Sequence, residues 1–369
     1  MFKFKVAAAA GALALGIGFS APASAGLGDG LDQIREGFQK LRNGIGNGLG
    51  NGLGQIGGAL GGSLGQIGGA LGGSLDQSLG ALAFGLTRIG QQYVTPVDGA
   101  VITHDAVEHQ GVARPLIVIA PAVVSPEKAP VIVLLHFSNG NAELMANLTR
   151  AGRLAAEHGA WVVLPEGTNR RWSDDPSNTP SSDDVDFLVK VIAHITSAYP
   201  IDAQRVYMAG MSNGGFMAER FACEKPELIA AAAVDAATMR NSLNKVCAPS
   251  RAVPITYFAG TRDPYVAYDS PLGMLSAQQT FARWSAIHGC DAASRQDSKP
   301  VPQVNDGTSI EISENWDCSS GGAVRLYTIV NGGHAWPGGD PAAPIPLGRT
   351  THNLDATEAM WDFMSLFTL

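Results

Sequence analysis

The chain has 369 residues, enough for one large domain or two small ones, and 16% of them are charged, with a net charge of -8. No cluster of Lys and Arg appears, so there is no electrostatic footprint for nucleic acid or for an anionic membrane surface.

The first 25 residues read as an export signal. Lys3 and Lys5 supply the positive start, residues 6–19 the apolar core, and Ala23-Ser24-Ala25 a small-x-small cleavage site. The mature chain is then expected to begin at Gly26 and to be secreted, extracellular or periplasmic. The apolar run is too short and too rich in glycine for a strong transmembrane span, so none is expected in the mature chain.

Residues 26–92 form a second, compositionally distinct segment. About one third of residues 26–90 are glycine, and residues 54–64 recur unchanged at 65–75. Large apolar residues from Leu31 to Leu79 keep steps of three and four, which puts them on one stripe of an α-helix. Each glycine costs about 1 kcal/mol of helix propensity, so an isolated helix would not persist in water. Two readings follow: a plain linker, or a segment that becomes helical against a hydrophobic surface such as a polymer, a lipid or a partner.

From residue 93 to 369 the composition is globular. Residues 100–104 and 115–120 read as strands of a hairpin. Residues 129–136 form a near-continuous apolar run, as in a strand buried on both faces. A helix is expected over 142–158, a strand over 161–165, and a helix over 185–199 with Asp183 and Asp184 at its N-cap. Residues 205–209 read as a strand and 216–222 as a helix, followed by strands at 228–234 and 255–259. A helix over 277–288, a strand over 323–330 and a helix over 354–367 close the chain. Strands and helices alternating in this way make one doubly wound α/β domain with a mostly parallel sheet.

Between strand 205–209 and helix 216–222 stands Gly210-Met211-Ser212-Asn213-Gly214. Strand, G-x-S-x-G, helix is the context of a nucleophile elbow. The turn is so tight that side chains at Gly210 or Gly214 would collide with the neighbouring strand or helix. It holds the Ser212 hydroxyl at a helix N-terminus, where backbone N–H groups favour developing negative charge.

Reactive residues in such a sheet gather beyond the carboxyl ends of the strands. Asp263 follows strand 255–259 and His334 follows strand 323–330. The order Ser212, Asp263, His334 is that of the α/β-hydrolases. His334 would take the Ser212 proton, and Asp263 would orient the imidazole and stabilise its charged form. Asp235 also follows a strand and is the rival acid. Glu166 follows a strand without an obvious partner. The backbone N–H of Asn213 and one near Phe137 are the expected oxyanion donors. Trp172, Trp336 and His136 are candidates to line a substrate cleft, against the alternative that the two tryptophans are core packing.

Cys223, Cys247, Cys290 and Cys318 suit two disulfides in an oxidising compartment, with three pairings open and neighbour pairs favoured. No Cys/His cluster has metal-ligand spacing, and no metal is expected.

Leu135-His136, Asp183-Asp184-Val185, Arg205-Val206-Tyr207 leading into Gly-x-Ser-Asn-Gly-Gly, and Gly333-His334-Ala335-Trp336-Pro337-Gly338 together resemble the extracellular polyhydroxybutyrate depolymerase family. Its members are α/β-hydrolases close to the feruloyl and acetylxylan esterases of carbohydrate esterase family 1. The resemblance covers about residues 95–369. It implies a secreted serine esterase with Ser212, Asp263 and His334 as its triad, no cofactor, and structural cysteines where the four stand here. Two positions depart from the pattern. Phe137 stands where the family usually has glycine, and Phe258-Ala259-Gly260-Thr261-Arg262-Asp263 replaces the usual His-Gly-Thr-x-Asp loop. The expected activity is hydrolysis of polyester ester bonds of the polyhydroxybutyrate type. The alternatives are a feruloyl or acetylxylan esterase, and a surface-adhesion protein acting through residues 26–90.

Overall fold

The computed structural model describes residues 93–177, 183–269, 272–340 and 348–369. The expected export signal and the glycine-rich segment lie outside these residues. Among the described residues ten strands form a single sheet in the order β1-β2-β4-β3-β5-β6-β7-β10-β9-β8.

β1 (Ala100–His109) and β2 (Val112–Pro121) make the expected hairpin. Gln110 and Gly111 both take positive φ, as a two-residue turn between twisted strands requires. β2 runs antiparallel to β4 (Trp161–Pro165). From there β3 (Ala129–Leu135), β5 (Ile201–Met211), β6 (Ala231–Asp235), β7 (Ile255–Gly260) and β10 (Val324–Val330) are parallel neighbours. β9 (Ser309–Asn315) and β8 (Gln296–Ser298) complete the far edge in antiparallel fashion.

Helices cover both faces. Along β3, Val131, Val133 and Leu135 enter one core and Ile132 and Leu134 the other, the two-residue alternation of a strand buried on both sides. The first core packs against α3 (Asp183–Ala198), α4 (Asn213–Glu224), α5 (Asn241–Val246) and α6 (Ala277–Ile287). The second packs against α1 (Ala142–Thr149), α2 (Gly152–His158) and α7 (Ala356–Met364).

Several expectations are corrected. The helix over 142–158 is two helices, because Arg150 adopts a left-handed conformation (φ 52°) and closes α1. Residues 226–228 form a short 3-10 turn, and the strand expected from 228 starts at Ala231. α5, β8 and β9 were not anticipated. Asp184 lies within α3 rather than serving as a simple cap. Its carboxylate is buried, pairs with Arg114 of β2 at 2.8 Å, and accepts the Ser173 N–H at 2.8 Å.

The disulfides join sequence neighbours, Cys223 to Cys247 and Cys290 to Cys318, and no described cysteine is free. They close loops of 24 and 28 residues. Each constrains the unfolded chain by about 3 kcal/mol in the loop-entropy picture. No described helix is long and apolar enough to cross a membrane.

Candidate active site

Ser212 joins β5 to α4 with φ 54° and ψ -120°, a strained conformation for a side-chain-bearing residue. The two glycines of the turn explain how it closes. A Cβ on Gly210 would lie 2.3 Å from the Gly214 carbonyl oxygen, and one on Gly214 would lie 2.3 Å from that of Leu135. Only hydrogen fits at either position. The Ser212 N–H donates to the Asp235 carbonyl at 2.8 Å, which fixes the turn to the end of β6. Ser212 stays half-buried, with its side chain at the first turn of α4. The N–H groups of such a turn lack partners within the helix.

Asp263 and His334 come together for a similar steric reason. A Cβ on Gly260, at the end of β7, would lie 2.5 Å from the carbonyl oxygens of Gly332 and Gly333. The loops after β7 and β10 therefore touch backbone to backbone. The Arg262 N–H donates to the Gly332 carbonyl at 2.8 Å, and the Asn331 N–H donates to Thr261 Oγ1 at 2.8 Å. On this base His334 Nδ1 lies 2.7 Å from Asp263 Oδ2. The other carboxylate oxygen, Oδ1, accepts the N–H groups of Tyr265 and Val266, each at 2.8 Å. Three donors thus hold one buried carboxylate, and the Nδ1 contact leaves Nε2 as the imidazole's free acceptor. No hydrogen bond joins the Ser212 hydroxyl to His334 among the described residues. Nucleophile-to-base contacts are often long without substrate and tighten on binding.

The other candidates behave differently. Asp235, the rival acid, is buried, and its Oδ2 has no hydrogen-bond partner. Burial pushes its carboxyl well above the usual range, and the charge of nearby Asp263 adds to the shift. Glu166 has a partner after all: Oε1 accepts the Ala142 N–H at 2.6 Å and helps cap α1.

His136 is fully buried, so it does not line a cleft in this conformation. Burial pushes its imidazole down to about 4, which leaves the ring neutral near pH 7. Nδ1–H donates to the Phe137 carbonyl at 2.8 Å, and Nε2 accepts the Gly167 N–H at 3.0 Å. With a neutral ring, the approach of Glu166 Oε2 to Nε2 at 3.7 Å is not an ion pair.

Both tryptophans are also enclosed. Trp336 is 1% exposed and its indole N–H donates to Thr357 Oγ1 at 3.0 Å, so it is a core residue. Trp172 is 3% exposed and its indole N–H donates to the His136 carbonyl at 2.9 Å. Phe137 is buried, with its ring against Gly140. The Asn213 side chain, which sequence reasoning left without a role, binds the backbone of Trp172. A second residue missed there is Tyr265, half exposed with its ring 5.4 Å from that of His334. Its one sequence signal is its place two residues after Asp263.

Away from this site, Glu157, His158 and Glu358 could bring three ligand atoms within 4.8 Å of one another. Arg153 already pairs with both glutamates there.

Known proteins are similar to this chain in sequence and in fold. A family described as Esterase PHB depolymerase matches residues 116–254. NocK of Nocardia uniformis subsp. tsuyamanensis, named as an esterase, is 31% identical over 265 residues, 66% of this chain and 76% of that protein. Feruloyl esterase B of Piromyces equi is 31% identical over 238 residues, 60% of this chain but 42% of that protein. Among solved structures, an acetyl xylan esterase from Aspergillus awamori matches with a TM-score of 0.52 at 15% identity. That match covers 72% of this chain and 99% of the other, and shows a shared α/β-hydrolase fold.

Proposed function

The chain belongs to the Esterase PHB depolymerase family and is a carboxylic ester hydrolase, and we propose that Ser212, His334 and Asp263 carry its reaction on polyhydroxybutyrate-type polyesters or their oligomers. The observation that carries this reading is the 2.7 Å pair of His334 with Asp263, at the same end of the sheet as the strained Ser212 turn.

In the reaction, His334 Nε2 takes the Ser212 proton as Oγ attacks the ester carbonyl. Asp263 keeps Nδ1–H in place and stabilises the imidazolium that forms. The N–H of Asn213 and one from the loop after β3, at Phe137, receive the developing oxyanion. Losing one such donor costs about 3 kcal/mol in the transition state. His334 then gives its proton to the leaving alcohol, and water releases the acyl group by the same steps in reverse. The half-exposed ring of Tyr265 borders the imidazole and offers an apolar wall to the bound ester.

Two disulfides support export, because such bonds persist in oxidising compartments. In this reading the glycine-rich segment serves an insoluble substrate by settling on its surface. A carbohydrate-ester substrate is the second reading, favoured by relatives named for feruloyl and acetylxylan esters.

A panel of polyhydroxybutyrate film, methyl ferulate, acetylated xylan and short p-nitrophenyl esters, run on wild type and Ser212→Ala, separates these readings. Film hydrolysis lost in Ser212→Ala supports the polyester reading. Hydrolysis of ferulate or acetyl esters alone replaces it with the carbohydrate-ester reading. Activity that survives Ser212→Ala removes the triad, and adhesion to film without hydrolysis leaves only the surface-binding role.

A further inference from the structure

β3 and β5 pair as far as Leu135 and Gly210, and past that point Gly214 packs against the Leu135 and His136 carbonyls. The oxyanion donors proposed above stand just past the last of these pairs, one after each strand, beyond the sheet ladder. A third segment bonds to both sides. The Trp172 N–H donates to Asn213 Oδ1 at 2.7 Å, and the Trp172 carbonyl accepts from Asn213 Nδ2 at 3.0 Å. The Trp172 indole N–H donates to the His136 carbonyl at 2.9 Å, one residue before Phe137. The His136 ring, 5.1 Å from the indole, donates to the Phe137 carbonyl at 2.8 Å.

We propose that Trp172 and the Asn213 side chain form a tie that sets the spacing of the two oxyanion donors, and that both act as positioning residues. The proposal rests on the catalytic reading above. The chemistry explains the residue types. A carboxamide presents one acceptor and one donor edge, which match the N–H and C=O of a single backbone residue. Aspartate lacks the donor edge and would face the Asp174 carboxylate, which accepts from Asn213 Nδ2 at 2.9 Å. Asp174 is itself held by Arg240. The Trp172 indole N–H is spent inside the protein, so this side chain serves the oxyanion loop rather than substrate. The same segment carries Asn169 and Arg170 at φ 52° and 61°. The Arg170 carbonyl accepts the Asn139 N–H at 2.9 Å, a second link to the loop after β3.

The test uses Trp172→Phe, Asn213→Ala and the double variant in the full exported chain. It reads kcat, KM, melting temperature, and the inhibition constant of an alkyl boronic acid that forms a tetrahedral adduct on the serine. Asn213→Ala keeps the backbone donor but loses the tie. Its kcat is expected to fall about 10- to 100-fold, with KM within about twofold and boronic-acid affinity falling by the same factor as kcat. Trp172→Phe keeps the ring and should lose about tenfold in kcat, and the double variant should fall little below Asn213→Ala alone. Unchanged kcat in both single variants, or a fall in kcat with boronic-acid affinity intact, overturns the tie. A wild type inactive on every ester sinks the catalytic reading and the tie with it. An active wild type with unaffected variants sinks the tie alone.

Discussion

The ends of β6 and β7 are neighbours in the sheet, and each carries an aspartate. Asp263 accepts from His334, Tyr265 and Val266, so its buried charge replaces water with three aimed donors. Asp235 has an oxygen with no donor at all, and its carboxyl is driven toward the neutral form. Both positions suit a triad acid by strand order alone. The loop that follows sets them apart: after Asp263 the chain turns back so that two N–H groups face the carboxylate.

The largest expected effect separates the two aspartates directly. Asp263→Asn should lower kcat by about four orders of magnitude, while Asp235→Asn should stay within about threefold of wild type on the same ester. Equal losses in both variants would erase the distinction.

The same rule applies to Asp184, a buried carboxylate served by Arg114 and the Ser173 N–H. Arg114→Ala leaves that charge half unpaired and should destabilise the fold by about 3–5 kcal/mol, measured by urea unfolding.

Glu219 is an intermediate case. One oxygen accepts from the Tyr257 hydroxyl at 2.6 Å and the Trp284 indole at 2.9 Å, and the other has no partner. Burial raises its carboxyl from 4.5 to about 7 against the pull of those two donors. A carboxyl raised by folding favours the native state while neutral, so its contribution is lost as pH climbs from about 4.5 through about 7. Glu219→Gln should remove this slope, which amounts to on the order of 3 kcal/mol over that window. Unfolding curves at pH 5 and pH 8 check it.

Asp235 carries a shift of the same sign. Asp235→Asn should melt above wild type at pH 8, with the difference shrinking toward about pH 4, where the unfolded carboxyl is also protonated.

What the sequence made legible was local. Gly210 and Gly214 exclude side chains because of backbone within a few residues or on the adjacent strand, so the Ser212 turn could be read from spacing. The apolar runs of the central strands identified the sheet in the same way. Arg150 could not be read, since neither glycine nor proline marks the left-handed residue that splits α1 from α2. β9 alternates only partly between buried and half-buried positions, and its polar residues hid it. Trp172 was left between cleft and core because its partners, Asn213 and His136, lie 41 and 36 residues away in the chain. The partner of Glu166 was hidden for the same reason, being the first turn of α1.

The rate at which an alkyl phosphonate ester labels the protein, followed by intact mass and peptide mapping, tests the Ser212–His334–Asp263 unit most directly. Wild type and Asp235→Asn should each gain one adduct on Ser212 at similar rates, and Asp263→Asn should label about 10⁴-fold more slowly. An adduct on another residue, or equal slowing in the two aspartate variants, would contradict it.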